Sequence, residues 1–206
     1  MKLFNVGFSY FYQILETIFI MQTEINNCLN ALKKGGLILY PTDTVWGIGC
    51  DATNYEAVEK IFQLKKRIDS KSMICLVKDF KMLNQYIEDI PEVTYDIIKY
   101  AVKPTTIIYD RPLHVAENLI AKDNSLAIRV VRDGFSGQLI RKFKKPIVST
   151  SANLSGKAAP NNFQEINKAI LEGVDYVVNL DRNKKSAKPS AIIKITTGGS
   201  VQIIRK

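Results

Sequence analysis

One histidine, one tryptophan and three cysteines in 206 residues each remove a class of chemistry. His114 has no cysteine or carboxylate pattern around it, so histidine-dependent triads are excluded by composition. Cys28, Cys50 and Cys75 are odd in number, far apart and set among apolar residues. They provide neither a disulfide framework nor a zinc site, and they fit thiols packed in a reducing compartment. Neither GxxxxGK(S/T) nor GxGxxG occurs, so Walker and Rossmann phosphate loops are absent. Internal repeats are lacking too. Acidic residues are outnumbered, 20 against 29 Lys and Arg, for a formal charge of +9. That surplus favours an anionic partner (nucleotide phosphates, RNA or an acidic membrane surface) without choosing among them.

What remains, 46% apolar and 24% charged residues, is the composition of one globular domain with a well-buried core. Residues 1–20 stand apart, being rich in Phe, Tyr and Ile. Asn5, Ser9, Gln13 and Glu16 interrupt the apolar run, and no small-residue cleavage site follows it. We read them as an extension or docked helix ahead of an alternative start at Met21, with the domain proper at 21–206, no membrane span and a cytoplasmic location.

Along that domain, strands and helices alternate. Residues 23–34 predict a helix stopped by Gly35-Gly36. Leu37–Tyr40 and Val45–Cys50 read as apolar strands around a Pro41-Thr42-Asp43-Thr44 turn. Thr53-x-x-Glu56 is a capping-box signal for a helix through Leu64, ending at Lys65, Lys66 and Arg67. Ser72–Val77 reads as a strand, 79–87 and 91–101 as helices, 105–109 and 126–131 as strands, and 135–143 as a helix. Ile147-Val148 then runs into a loop of small polar residues, Ser149-Thr150-Ser151-Ala152-Asn153-Leu154-Ser155-Gly156. A helix over 163–172, strands over 174–179, 190–195 and 201–205, and a Thr197-Gly198-Gly199 hairpin complete an α/β domain with a mixed sheet.

Polar side chains recur at the ends of these apolar strands. Thr42, Thr44, Lys65, Arg67, Thr106, Arg129, Ser149, Ser151, Asn153, Ser190 and Arg205 can converge on one concave face if the strands share a sheet. Arg129 interrupts an apolar strand, where an arginine either snorkels at an edge or reaches an anion, and we favour the second reading. This inventory of cations and hydroxyls suits an anionic ligand such as a nucleoside triphosphate. It does not suit acid–base hydrolysis, which needs paired carboxylates or a histidine.

The motifs resemble those of the YrdC/TsaC threonylcarbamoyl-AMP synthases. Gly35 to Ala52, with Pro41-Thr42-Asp43-Thr44-Val45-Trp46-Gly47 at its centre, looks like the N-terminal signature of that family. Lys65-x-Arg67 resembles its KxR motif, Lys103-Pro104-Thr105-Thr106 its PGPxT segment, Ala127-Ile128-Arg129-Val130 its AxRV strand and Ser151-Ala152-Asn153 its SxN motif. Ser190–Ile193 and Ile203–Arg205 are similar to its closing strands. Ile68 stands where the family usually has proline, Lys103 where it has glycine, and Ser72 where it has proline or glycine.

The resemblance implies the short single-domain form of the family: a twisted mixed α/β sheet flanked by helices and enclosing a positively charged cavity. The implied reaction joins L-threonine, bicarbonate and ATP into L-threonylcarbamoyl-AMP, releasing pyrophosphate, and a transferase complex passes the group to adenosine 37 of tRNA. It also implies Lys65 and Arg67 as catalytic residues. Lys65, Arg67, Lys71, Thr106, Arg129, Ser151, Asn153 and Arg205 would bind ATP, and Thr42, Thr44, Ser149 and Ser190 threonine. Mg²⁺ would be held mainly through the phosphates, with no metal-ligating side chains, and tRNA binding would be weak. The alternative is a non-catalytic YrdC-like RNA-binding module.

Overall fold

A computed structural model describes the backbone of residues 2–66 and 73–206, and their side chains from residue 13 onward. The first helix, α1, runs from Lys2 to Lys33, through the boundary read at Met21. Its C-terminal part buries Ile25, Cys28 and Leu32 on one side, whereas Ile14, Leu15, Ile18 and Phe19 before it are exposed. Among the described residues no helix is long and apolar enough to cross a membrane. The glycine stop is present: Gly35, at φ +70°, donates to Leu32 O at 3.0 Å and Gly36 to Ala31 O at 2.9 Å. Glycine adopts this left-handed geometry without a Cβ penalty.

Among the described residues, nine strands form one sheet: β1 (Ile38–Pro41), β2 (Trp46–Gly49), β3 (Ile74–Val77), β4 (Thr105–Asp110), β5 (Ser125–Val130), β6 (Ile147–Ser151), β7 (Tyr176–Val177), β8 (Ala191–Ile195) and β9 (Val201–Arg205). Their order is β7-β1-β2-β6-β3-β5-β4-β8-β9. The pairs β1/β7, β3/β5 and β4/β8 are parallel and the rest antiparallel, so the sheet is mixed. The helices after α1 are α2 (Tyr55–Lys65), α3 (Phe80–Leu83), α4 (Val93–Tyr100), α5 (Gly134–Phe143) and α6 (Lys168–Glu172). Helices α1 and α5 pack on each other and on the sheet at β1.

Period-two alternation separates the two faces. Ile48, Cys75, Ile107, Ile128 and Val148 share one face by register and are buried in the core. The other face carries Ser149, Ile74, Ala127, Ile108 and Lys194 in one row across β6-β3-β5-β4-β8. Two residues along β5 from Ala127 stands Arg129, and two residues back along β4 from Ile108 stands Thr106. The cysteines sit in the core; burial pushes the Cys75 thiol up to about 12 and raises Cys28 and Cys50 as well. Such thiols are protonated and unreactive.

Several local expectations are corrected. Helix α2 is capped by Asn54, whose Oδ1 accepts from Ala57 N at 2.9 Å, and not by Thr53. Thr53 is already engaged, its N and Oγ1 both donating to Asp51 Oδ1 at 2.8 and 2.7 Å. The expected helix 79–87 shortens to α3, with turns following it. The expected helix 163–172 splits into a 3-10 turn, Phe163–Glu165, and α6, because Asn167 offers a second cap to Ala169 N at 2.9 Å. Strand 174–179 contracts to β7.

Candidate active site

A cavity of about 1060 Å³ lies over the Ser149–Lys194 row of the sheet. Seven of the residues singled out from sequence line it: Thr42, Thr44, Arg129, Ser149, Ser151, Ser190 and Arg205. They come from five separate stretches of chain, so the fold, not local sequence, brings them together. Its charged lining is Lys122, Arg129, Lys194 and Arg205 against Glu59 and Asp123. The apolar floor includes Ile74, Ile108 and Ala127.

The threonine turn between β1 and β2 is fixed by its own hydroxyls. Thr42 Oγ1 donates to Val45 O at 2.7 Å and accepts from Thr44 N at 3.1 Å, and the two threonine hydroxyls are 3.0 Å apart. Thr44 thereby comes within reach of Arg129, whose Nη1 is 3.4 Å from Thr44 Oγ1. Arg129 is only 4% exposed. Its Nη2 donates to Asp43 Oδ1 at 2.8 Å, while its Nε has no hydrogen-bond partner among the described residues. A buried donor left without an acceptor costs about 1–3 kcal/mol, which an anionic ligand would recover. Burial raises the Tyr40 phenol beside this site, against the opposing pull of the Arg129 charge.

At the other wall, Arg205 Nε donates to Ser190 O at 2.9 Å, which joins β9 to the start of β8. Ser190 Oγ is 2.8 Å from Thr106 Oγ1, and Thr106 is fully buried beneath it. Thr106 therefore stands behind the cavity wall and not in it.

Lys65 and Asn153 also take supporting positions. Lys65, the last residue of α2, is 1% exposed, and its Nζ donates to the carbonyl oxygens of Ser151 and, at 2.6 Å, of Asn153. It ties α2 to the serine loop. Asn153 closes that loop, its Nδ2 donating to Leu154 O at 3.0 Å and Lys157 O at 2.6 Å while its Oδ1 accepts from Ser151 Oγ. Ser151 thus remains the member of the Ser151-Ala152-Asn153 motif on the cavity wall. Arg67 and Lys71, together with Ile68 and Ser72, lie outside the described residues.

Asp43, Gly47, Asp123 and Lys194 were not singled out from the sequence. Asp43 had a signal, since a buried arginine in an apolar strand demands a carboxylate. Gly47 lines the cavity, and a Cβ there would lie 3.2 Å from Ser149 Oγ. Asp123 and Lys194 are paired at 2.8 Å along the lining, and nothing local marks them.

Comparison with known proteins agrees with the fold. A relative from Methanocaldococcus jannaschii is 33% identical over 190 residues, 89% of this chain and 87% of the relative. One from Pseudoalteromonas translucida, named threonylcarbamoyl-AMP synthase, is 32% identical over 161 residues, 77% of this chain and 86% of the relative. Among solved structures, E. coli YciO matches with TM-score 0.77 and 24% identity, covering 90% of this chain and 89% of that one. P. abyssi Sua5 complexed with L-threonine matches with TM-score 0.73 and 24% identity over 82% of this chain. The present chain spans about half the length of that Sua5 chain, 50% of it. A family model described as "Telomere recombination" matches residues 30–206, and with these relatives it shows that the chain belongs to the Sua5/YciO/YrdC family.

Proposed function

We propose that this protein is a threonylcarbamoyl-AMP synthase, a nucleotidyltransferase that condenses L-threonine, bicarbonate and ATP to L-threonylcarbamoyl-AMP, pyrophosphate and water. The observation that carries the reading is the convergence of Thr42, Thr44, Arg129, Ser149, Ser151, Ser190 and Arg205 on one cavity. Relatives at 31–33% identity supply the activity, since those from Pseudoalteromonas translucida and Idiomarina loihiensis are named for it.

In the first step the threonine amine attacks carbon dioxide, formed with release of water when bicarbonate gives up its hydroxyl, and the new C–N bond is accompanied by loss of the amine proton, giving a carbamate. One carbamate oxygen then attacks the α-phosphorus and the bond to the pyrophosphate oxygen breaks. No nucleophilic side chain is required. The protein must align three reactants and offset developing charge. Thr42, Thr44, Ser149 and Ser190 would hold threonine and its carbamate, with Arg129 at the anionic end. Arg205 and Ser151 would meet ATP, and the floor of Ile74, Ile108 and Ala127 offers an apolar surface to the base. Arg67 and Lys71 are assigned to the phosphates and Arg67 to catalysis. Lys65, Thr106 and Asn153 are assigned to the same nucleotide site, which they reach through Ser151 and Ser190.

Mg²⁺ fits this arrangement as part of the nucleotide. The described residues offer hydroxyls and cations along the cavity but no cluster of three His, Cys, Asp or Glu that could cage a metal, so the phosphates would hold it and it would polarise them. We assign the catalytic domain to 21–206, with 1–20 as an extension, and place the protein in the cytoplasm, passing its product to a transferase complex acting on tRNA.

The test is to incubate the protein with ATP, Mg²⁺, bicarbonate and labelled threonine. Threonine-dependent pyrophosphate and labelled threonylcarbamoyl-AMP are expected. Their absence, combined with tight RNA binding, would replace this reading with a non-catalytic RNA-binding module.

A further inference from the structure

Asp43 sits between two threonines that line the cavity, yet it is not itself among the lining residues. The hydroxyl bonds of Thr42 and Thr44 fix the turn, and Asp43 then reaches Arg129 Nη2 at 2.8 Å, a contact spanning 86 residues of sequence. Arg129 is thereby held at one edge by a carboxylate. Of its other two nitrogens, Nη1 is 3.4 Å from Thr44 Oγ1 and Nε has no partner among the described residues.

This arrangement separates two properties that a lone arginine combines. Hydrogen-bond donors are available to a ligand in a dry setting, while the net charge of the Arg129–Asp43 pair is close to zero. A ligand with a single negative charge needs the donors. A phosphate chain, with several negative charges, is drawn mainly by uncompensated positive charge, and it would be repelled by a carboxylate at ion-pair distance from its binding group.

We propose that Asp43 is the specificity-determining and positioning residue of the Arg129 end of the cavity. It orients the guanidinium and cancels its charge, so that this end admits a carboxylate or carbamate and rejects phosphate. The proposal rests on the assignment of threonine to that end, and it moves Arg129 from the ATP-binding set that the motifs imply to the threonine end. It explains how one cavity holds an amino acid and a triphosphate in fixed order: the nucleotide's phosphates are left to cations such as Arg205, whose Nε contact is to a neutral carbonyl and which has no carboxylate partner among the described residues.

The experiment is calorimetric titration of wild type and Asp43→Asn with L-threonine and, separately, with inorganic pyrophosphate, followed by threonine titration in the presence of saturating pyrophosphate. Asn preserves the shape and the acceptor oxygen and removes the charge. In wild type, pyrophosphate should leave threonine affinity unchanged. In Asp43→Asn, pyrophosphate should bind about tenfold more tightly and compete with threonine. Asp43→Ala, which also loses the orienting contact, should in addition weaken threonine binding by about tenfold. Unchanged pyrophosphate affinity in a folded Asp43→Asn protein would overturn the inference. So would direct competition between pyrophosphate and threonine in wild type, a result that needs no variant. Failure of wild type to bind threonine at all would instead overturn the assignment of the site.

Discussion

Ser190 and Thr106 share a hydroxyl–hydroxyl hydrogen bond of 2.8 Å across 84 residues of sequence, at the point where β8 begins to run parallel to β4. Ser190 lines the cavity and Thr106, on the same sheet face, is covered beneath it, so the buried hydroxyl serves to aim the lining one. Thr106→Val leaves the Ser190 hydroxyl without its partner and should cost about 1–3 kcal/mol, as should Ser190→Ala for the converse reason. The double variant removes both polar groups, and its stability should lie nearer wild type than the sum of the single losses allows. Urea melts of the four proteins measure this. Strict additivity would show that the bond contributes nothing to the wall.

Lys65 makes a different prediction from a residue that only touches ATP. Its buried ammonium donates to carbonyls of the serine loop, and hydrogen bonds to a charged group contribute about 1.5–3 kcal/mol. Lys65→Met should therefore lower stability by about 3 kcal/mol and abolish threonine-dependent pyrophosphate release. Lys65→Arg should not rescue either property, because the forked guanidinium does not fit a site built for a point donor. A Lys65→Met protein as stable as wild type, inactive only through loss of ATP binding, would return this lysine to direct nucleotide contact.

The strands and seven of the polar residues that line the cavity are legible in sequence, because both follow from short apolar runs ending in polar residues. Arg129 is legible as an oddity in a strand, and the same oddity implies a carboxylate partner, for which Asp43 lies beside two threonines of the candidate set. Helix limits were less legible where side chains compete for the same backbone groups. Thr53 has the chemistry of a cap, but Asp51 claims its hydroxyl and amide, so Asn54 caps α2 instead. Lys65 and Asn153 carried the right motif and a hidden geometry: sequence cannot say whether a lysine at a helix end points into a cavity or under a loop. That distinction depends on where α2 meets β6, a contact between segments 86 residues apart.

The Asp123–Lys194 pair gives the cavity's far end a pH signature. The hydrogen bond from Lys194, ahead of that from Ser125 at 2.6 Å, holds the Asp123 carboxyl below its ordinary value, and Asp123 in turn raises Lys194. For the carboxylate, whose value is depressed on folding, stabilisation is complete above the unfolded pKa of about 3.9 and is lost as pH falls through the folded one. For the lysine, whose value is raised, it is complete below about 10.4 and is lost as pH rises through the folded value. The pair is partly exposed, so its contribution should not exceed about 1 kcal/mol. Lys194→Met should thus be slightly less stable than wild type at neutral pH, with the difference closing toward acid below about pH 3.9. Urea midpoints across that range test it, and a difference that persists undiminished at the acid end would assign the effect to packing.

Gly47 offers the sharpest steric probe of where threonine binds. A Cβ there would lie 3.2 Å from Ser149 Oγ and 3.4 Å from Thr42 Cγ2, both ends of side chains that can shift slightly. Two residues on, a Cβ at Gly49 would meet Tyr40 Cε1 and Val148 O at 2.7 Å, a packed ring and a backbone atom that cannot yield. The same substitution should therefore have opposite consequences. Gly49→Ala should cost about 1–3 kcal/mol through overpacking without selecting between substrates. Gly47→Ala should fold with little loss, because the added methyl projects toward the cavity beside Ser149 and Thr42, where it narrows the space assigned to the amino acid. Its KM for threonine should rise about tenfold while that for ATP stays within about twofold. Equal rises for both substrates would move threonine away from the Ser149 wall.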